Sequence, residues 1–272
     1  MPDTTAAAAW EQALASWAIP PAILAAAPES PWGYPTAIFA RRADAALDQE
    51  TPSTAVARAA LPDGGVVLDV GCGAGAASLP LAAQAGTLVG VDPSPDLLAA
   101  FAERAVATGR TVQTILGAWP DAAGLTPITD VAVCQHVVYN VPDLPAFLRA
   151  LTAHARHRVV LEITAGHPLS DVNHLWLRFH GLRRPVAPTA DSVVAVLREL
   201  GLAPERADWQ GPPGRYQEPD ELIALTRRRL CLPPTRDPEI AAALTEQLGD
   251  PAVGWRLPPR SLVTLWWDGT AS

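Results

Sequence analysis

The central part of the chain alternates short apolar runs with stretches of helical spacing, the pattern of a sheet with helices packed against it. The runs VVLDV and RVVLEI are almost continuously apolar, as expected for strands that are covered on both faces. From Gly64 onward we therefore predict a parallel α/β sheet. The predicted strands are Val66–Val70, Leu88–Asp92, Val112–Leu116, Asp130–Cys134, Arg158–Ile163, Pro204–Trp209 and Leu262–Trp267.

Outside these strands the sequence is mostly helical. The first 54 residues and residues 210–259 have a helical or turn-like composition, interrupted by proline and glycine. We divide the chain into an N-terminal helical lid (1–54), a core (55–209 and 260–269) and a helical insertion (210–259). The helices predicted between strands of the core are Ala76–Ala85, Pro95–Thr108, Leu144–His154 and Ala190–Leu200.

A glycine-rich turn follows the first predicted strand, in the segment VVLDVGCGAG. Gly71 and Gly73 allow a tight turn and a close approach of the backbone to a ligand. A helix that begins after the turn would offer free N–H groups to an anionic group. Asp92 ends the next strand, where it can accept hydrogen bonds from two ribose hydroxyls. Together these residues predict a site for an adenosine-containing ligand at the carboxyl ends of the strands.

Two kinds of adenosine ligand are compatible with this motif. The segment Gly71–Ala76 fits the G-x-G-x-x-A pattern, and Asp92 lies 21 residues beyond Gly71, as in nicotinamide-binding proteins. Asp69, however, lies inside the strand, and its carboxylate would repel a pyrophosphate. A carboxylate at this position favours a ligand with an ammonium and a sulfonium group. A nicotinamide-dependent oxidoreductase stays as the alternative.

The segments LDVGCGAG and VGVDPS resemble the class I S-adenosylmethionine-dependent methyltransferases. The resemblance implies an α/β fold with a Rossmann-like, seven-stranded, mostly parallel sheet and an antiparallel last strand. It also implies that S-adenosyl-L-methionine is the cofactor. Its amino acid part would lie against Asp69 and the turn, and its ribose would bind Asp92. The cofactor-binding residues implied in this way are Asp69, Gly71, Cys72, Gly73, Asp92, Pro93, Ala118, Trp119 and Gln135.

The acceptor side is expected at the end of the fourth strand and beyond the fifth. By analogy with the family, His136 lies near the transferred methyl group, and histidine is a natural general base because free imidazole titrates near neutrality. A packed histidine that closes the strand is the alternative. Polar and aromatic residues concentrate where substrate loops form on such sheets. The substrate-binding candidates are Tyr139, Asn140, His167, His174 and Arg183.

Composition excludes several other functions. The chain has 272 residues and a net charge of −8, which disfavours nucleic-acid binding. Three scattered cysteines form no disulfide framework, which favours a cytoplasmic location. Neither an H-x-x-x-H pair nor a cysteine pair suggests a metal, and no membrane segment or signal peptide is predicted. The expected partner is a small-molecule acceptor, with a homodimer left open.

The predicted activity is S-adenosylmethionine-dependent methyl transfer to a small molecule by in-line displacement. The N-terminal lid and the insertion would exclude water from the acceptor pocket. A non-catalytic, regulatory S-adenosylmethionine-binding protein is the alternative from a different functional class.

Overall fold

Seven strands form a single sheet in the computed structural model, which describes residues 4–32, 36–212, 218–253, 255 and 257–271. Their spatial order is β3-β2-β1-β4-β5-β7-β6. β7 runs antiparallel to both of its neighbours, and the other neighbouring pairs are parallel. The predicted Rossmann-like sheet with an antiparallel last strand is therefore confirmed. The strands are β1 (Val66–Val70), β2 (Thr87–Asp92), β3 (Thr111–Leu116), β4 (Thr129–Gln135), β5 (Ala155–Thr164), β6 (Glu205–Gly211) and β7 (Arg260–Asp268).

The order of the strands places a crevice beside β1. The chain continues from β1 to β2 and β3 on one side, and then crosses to β4 and β5 on the other. In open sheets of this type, ligands bind at the carboxyl ends of the strands where the order reverses. The glycine turn after β1 lies at this point.

Helices cover both faces of the sheet. On one face, α1, α6 and α8 pack around Trp10, Phe147 and Val193, while α3, α4 and α5 pack on the opposite face around Phe101. Apolar stripes on these helices are buried against the apolar strands, which is the main stabilisation of such layers. The helices are α1 (Ala6–Ala15), α2 (Pro21–Ala26), α3 (Thr36–Ala46), α4 (Pro52–Ala60), α5 (Pro95–Ala107), α6 (Leu144–Ala153), α7 (Asn173–His180), α8 (Ala190–Glu199), α9 (Pro219–Arg229) and α10 (Asp237–Leu248).

The helix predicted over Ala76–Ala85 is wrong. This segment forms turns and a short 3₁₀ helix at Leu79–Leu81. Pro80 has no amide hydrogen for an α-helical bond, and the hydroxyl of Ser78 donates instead to the buried carboxylate of Asp69, at 2.6 Å. The predicted α-helix N terminus after the glycine turn is therefore absent from this segment.

A third apolar cluster joins three distant segments of the chain. It contains Ile19 from the N-terminal segment, Trp176 from α7, and Leu222 and Ile240 from the insertion. We call these three segments the cap; their described residues are 19–27, 172–182, 222–253, 255 and 257. Arg227 strengthens the connection because its guanidinium lies 3.5 Å from a carboxylate oxygen of Glu29. The N-terminal segment and the insertion thus share one small core.

The stretch predicted as an N-terminal lid is divided between different layers. α1 and α4 pack on opposite faces of the sheet. α3 lies nearer to the glycine turn and is tied to α9 of the cap by the Arg41–Glu221 ion pair. Within the described part of residues 1–54, the segment around α2 contributes to the cap, and α3 lies against the turn.

Candidate active site

The turn after β1 depends on glycine at Gly71. Its φ is +67°, and a Cβ atom added there would overlap the side chain of Val137. The amides of Gly71 and Cys72 both donate to the carbonyl of Val91, at 2.8 and 3.1 Å. The turn is therefore fixed against the end of β2, and Val137 connects it to the loop that follows β4.

Gly73 and Asp92 connect the turn to the end of β2. The amide of Gly73 donates to Asp92 Oδ2 at 3.0 Å, and the amide of Ser94 donates to Oδ1 at 2.9 Å. Each carboxylate oxygen retains a second lone pair for a ligand donor. Phe39 from α3 covers this region, 3.2 Å from a Cβ atom built on Gly73. The result is a backbone cradle with a carboxylate at its edge, and the neighbouring Pro93 is exposed.

Asp69 is fully enclosed below the turn. Burial raises its pKa to about 7, although the hydrogen bond from Ser78 acts in the opposite direction. The carboxyl group therefore fixes the segment after the turn through Ser78. Its predicted contact with the cofactor stays a prediction.

The two candidates after β3 have different environments. Ala118 is exposed, whereas Trp119 is buried. The indole of Trp119 donates to the carbonyl of Phe147 at 3.3 Å and meets the ring of His154 edge-on at 4.9 Å. These contacts favour a packing role for Trp119, so Ala118 is the accessible candidate of the two.

His136 follows directly after β4 in a strained backbone conformation. Its φ is +60°, which is rare for a residue other than glycine and is typical of functional sites. Its amide donates to the carbonyl of Glu162 at 2.8 Å, and its Nε2 lies 3.4 Å from Glu162 Oε1. Gln135 pairs with Glu162 in the sheet and is half-buried. The structure thus brings the predicted base next to a carboxylate.

Glu162 is a buried carboxylate near the carboxyl end of β5. Burial alone would raise its pKa, but His136, the Ser53 hydroxyl and the charge of Arg260 together hold the pKa below its ordinary value. Among the described residues, its Oε2 has no hydrogen-bond partner. Because an ionised carboxylate only accepts, a contact with neutral His136 places the proton on Nε2 and leaves Nδ1 as the basic atom.

Two of the substrate-binding candidates lie together. The hydroxyl of Tyr139 lies 2.6 Å from Thr164 Oγ1 and accepts from the Thr164 amide at 2.8 Å. Burial raises the pKa of Tyr139 to about 12. The ring of His167 meets Tyr139 edge-on at 5.3 Å and stacks on Trp17 at 3.7 Å. Both side chains are therefore engaged in contacts within the protein.

The other three candidates, Asn140, His174 and Arg183, are exposed. His167 and His174 are seven positions apart but do not share a helix, because α7 begins only at Asn173 and His167 lies in the preceding turn. The neighbouring Arg184, rather than Arg183, packs against an aromatic ring, since its guanidinium carbon lies 4.9 Å from the ring centroid of Trp176.

Comparison with known proteins identifies the family. A family model described as "Methyltransferase domain" matches residues 39–206, more than half of the chain. The chain belongs to this methyltransferase family. Its cofactor is S-adenosylmethionine, as predicted, and the nicotinamide alternative is set aside.

Individual relatives support the family over part of the chain. It is 36% identical over 83 residues to the "Ubiquinone biosynthesis O-methyltransferase" of Azorhizobium caulinodans, and 34% identical over 94 residues to that of Methylobacterium nodulans. These alignments cover 30% and 32% of this chain and 33% and 35% of those proteins. The chain thus spans about a third of the length of these curated relatives.

Solved structures share the fold at low sequence identity. A cyclopropane-fatty-acyl-phospholipid synthase-like protein from Lactobacillus casei aligns with a TM-score of 0.55 and 18% identity, covering 94% of this chain and 99% of that one. The YcgJ protein from Bacillus subtilis aligns with a TM-score of 0.54 and 20% identity, covering 81% and 98%. Both comparisons support the fold of the methyltransferase.

The residues at the end of β1 and β2 fit S-adenosylmethionine. The turn presents backbone at Gly71 and Gly73, and the lone pairs of Asp92 can accept ribose hydroxyls. The segment after the turn contains no α-helix N terminus of the kind that binds a pyrophosphate, which S-adenosylmethionine lacks. We therefore expect the turn and Asp92 to bind the cofactor.

Three residues around His136 were missed as site residues. A charge inside the apolar run RVVLEI is a sequence signal for Glu162. Ser53, whose hydroxyl lies 2.7 Å from Thr264 Oγ1, and Arg260 have no such signal, because contacts between distant segments bring them here.

Within the described part of the methyltransferase, no helix is both long and apolar enough to cross a membrane. The same residues include no group of three or more histidine, cysteine or acidic side chains arranged to bind a metal ion.

Proposed function

We propose that this methyltransferase transfers the methyl group of S-adenosylmethionine to a hydroxyl oxygen of a small-molecule acceptor. The observation that carries the proposal is the His136–Glu162 pair at the ends of β4 and β5. A sulfonium is already an activated methyl donor, so the protein mainly has to align the reactants. A general base is needed only when the nucleophile is protonated, as a hydroxyl is. The two curated relatives are named O-methyltransferases, which supports the choice of oxygen.

Different residues bind the cofactor, orient the base and take up the proton in this reaction. When bound, the cofactor supplies an electrophilic methyl carbon whose bond to sulfur breaks toward sulfur. The glycine turn and Asp92 would bind it. Glu162 fixes the imidazole of His136 with the proton on Nε2. His136 Nδ1 then takes the hydroxyl proton as the acceptor oxygen forms its bond to the methyl carbon.

Contacts around the turn support a covered acceptor pocket. Phe39 of α3 lies against Gly73, and the Arg41–Glu221 pair ties α3 to the cap. We infer that α3 and the cap together exclude water and limit the acceptor to a small molecule. A cytoplasmic location and a homodimer remain further predictions.

Binding and turnover test the proposal separately. Calorimetry with S-adenosylhomocysteine should show binding, and no binding at millimolar ligand would refute the cofactor site. Turnover is then measured with methyl-labelled S-adenosylmethionine and a panel of phenols, catechols and hydroxybenzoates. Binding without turnover on any member would favour the regulatory alternative.

Variants of His136 test the proposed base. His136→Asn should lower kcat by about 10²- to 10⁴-fold, the usual contribution of a general base, with little effect on S-adenosylhomocysteine affinity. Its rate should also lose the dependence on pH that titration of a base gives. His157→Asn is the matched control, because His157 is exposed in β5 at the opposite edge of the sheet. An equal loss of cofactor affinity and kcat would indicate a structural histidine.

A further inference from the structure

Arg260 lies at the same edge of the sheet as the proposed base. It is the first residue of β7, which runs antiparallel to β5, so it lies beyond the carboxyl end of β5. Glu162 pairs directly with Thr264 in this ladder. Residues 260 and 264 lie an even number of positions apart, so their side chains face the same side of the sheet. Arg260 and Glu162 therefore project from one face.

The guanidinium of Arg260 has one unsatisfied donor. The residue is half-buried, and its buried Nε has no acceptor among the described residues. A buried donor without an acceptor destabilises a protein, and the absence of a partner calls for an explanation. Its charge contributes to the lowered pKa of Glu162 and partly opposes the burial that raises the pKa of Tyr139, so it lies within electrostatic range of both.

Glu162 provides the complementary feature. Its buried Oε2 is an acceptor without a donor in the described part of the chain, whereas Arg260 Nε is a donor without an acceptor. A ligand that satisfies both must present an acceptor oxygen to Arg260 and an O–H group toward the His136–Glu162 pair. The positive charge of Arg260 disfavours an ammonium group here. A carboxylate matches the planar fork of a guanidinium.

We propose that Arg260 binds a carboxylate group of the methyl acceptor, which makes the substrate a hydroxy acid. The inference rests on the proposed function for the identity of the ligand as the acceptor. The carboxylate orients the molecule, and its hydroxyl faces His136. Arg260 is a specificity-determining residue in this arrangement.

Ligand binding tests the subsite without turnover. The probes are 2-, 3- and 4-hydroxybenzoate and their neutral amides, titrated calorimetrically into the protein loaded with S-adenosylhomocysteine. At least one hydroxybenzoate should bind ten-fold or more tightly than its amide. Arg260→Gln should abolish this preference, and Arg260→Lys should retain part of it because it keeps the charge but loses the fork. Arg110→Gln is the control, since Arg110 is exposed at the opposite edge of the sheet.

The outcomes separate this inference from the proposed function. No preference for the carboxylate in the wild type, or a preference that survives in Arg260→Gln, overturns the subsite. If neutral phenols are nevertheless methylated, the proposed O-methylation is supported although the carboxylate subsite is refuted. A carboxylate preference that depends on Arg260, without methyl transfer to any probe, supports the carboxylate subsite but favours the regulatory alternative over O-methylation. An unchanged S-adenosylhomocysteine affinity and an unchanged thermal unfolding temperature would show that Arg260→Gln is folded. If this variant does not fold, the comparison of the wild type with Arg260→Lys tests the subsite instead.

Discussion

His167 makes the folding stability of this protein depend on pH in a way that the structure quantifies. Its ring is stacked on Trp17 and only 6% exposed. Burial, together with the charge of Arg184, lowers its pKa from 6.5 to about 4. Between pH 6.5 and pH 4, His167 is therefore mostly protonated in the unfolded chain and mostly neutral in the folded protein. The stability contributed by neutral His167 is present above pH 6.5 and is lost as the pH falls toward 4.

The size of this effect follows from the two pKa values. At 1.36 kcal/mol per pH unit, the full loss is about 3 kcal/mol, of which roughly 2 kcal/mol falls between pH 7 and pH 5. Asp69 acts with the opposite sign, because its folded pKa is raised to about 7 and folding gains stability as it is protonated below that pH. The pH dependence of the wild type is therefore a sum of opposing effects. A comparison with a His167 variant isolates one of them.

His167→Asn is the appropriate variant. Asn can still accept the hydrogen bond that His167 Nδ1 receives from the Leu169 amide at 3.3 Å, but it cannot be protonated. Urea denaturation from pH 7 to pH 4 should show the variant less stable at pH 7, because it loses the ring contact. The difference from the wild type should then narrow by about 2 kcal/mol by pH 5.

His174→Asn is the control for this experiment, since His174 is exposed on α7. Its stability should follow the wild type throughout the same pH range. A constant difference between wild type and His167→Asn would refute the reasoning, because it would mean that His167 titrates alike in the folded and unfolded states.

Three further variants test the site and its supports. Asp92→Asn should weaken S-adenosylhomocysteine binding by about 10- to 100-fold in calorimetry, the usual range for hydrogen bonds to a charged group, and an unchanged Kd would exclude a ribose contact. Gly71→Ala should lower the free energy of unfolding by at least about 1 kcal/mol more than Gly109→Ala, because Gly109 has a similar φ of +73° but open surroundings. Equal losses in urea denaturation would contradict the overlap. Tyr139→Phe should cost about 1–2 kcal/mol of stability through its lost bond to Thr164, with an unchanged KM, and a selective rise in KM would indicate substrate contact instead.

The first two strands could be predicted because each is a short apolar run bounded by glycine or proline. β1 and β2 are nearly uniform apolar runs, and their predicted bounds differ from the structure by at most one residue. The glycine turn and Asp92 were identified for a similar reason, since both lie within one strand–turn–strand segment. Family resemblance added the antiparallel direction of β7, which the pattern of apolar residues does not encode.

Contacts between distant segments could not be predicted in the same way. Helical composition suggested an α-helix after the glycine turn, but Pro80 and the bond from Ser78 to Asp69 override the local preference. The sequence likewise suggested a catalytic histidine without its partner, because Glu162 follows 26 positions later and meets His136 only through the pairing of β4 with β5. Arg260 reaches the site only because β7 inserts between β5 and β6.

The shared core of the cap has a consequence for attempts to exchange substrate specificity between relatives. Ile19, Trp176 and Leu222 come from three parts of the chain but pack in one cluster. A chimaera that receives only the insertion of a relative would replace the side chains around Leu222. Ile19 and Trp176, which pack against them, would stay as they are, and the packing would no longer match. A chimaeric protein that keeps this core must therefore receive all three segments together, although they are far apart in the sequence.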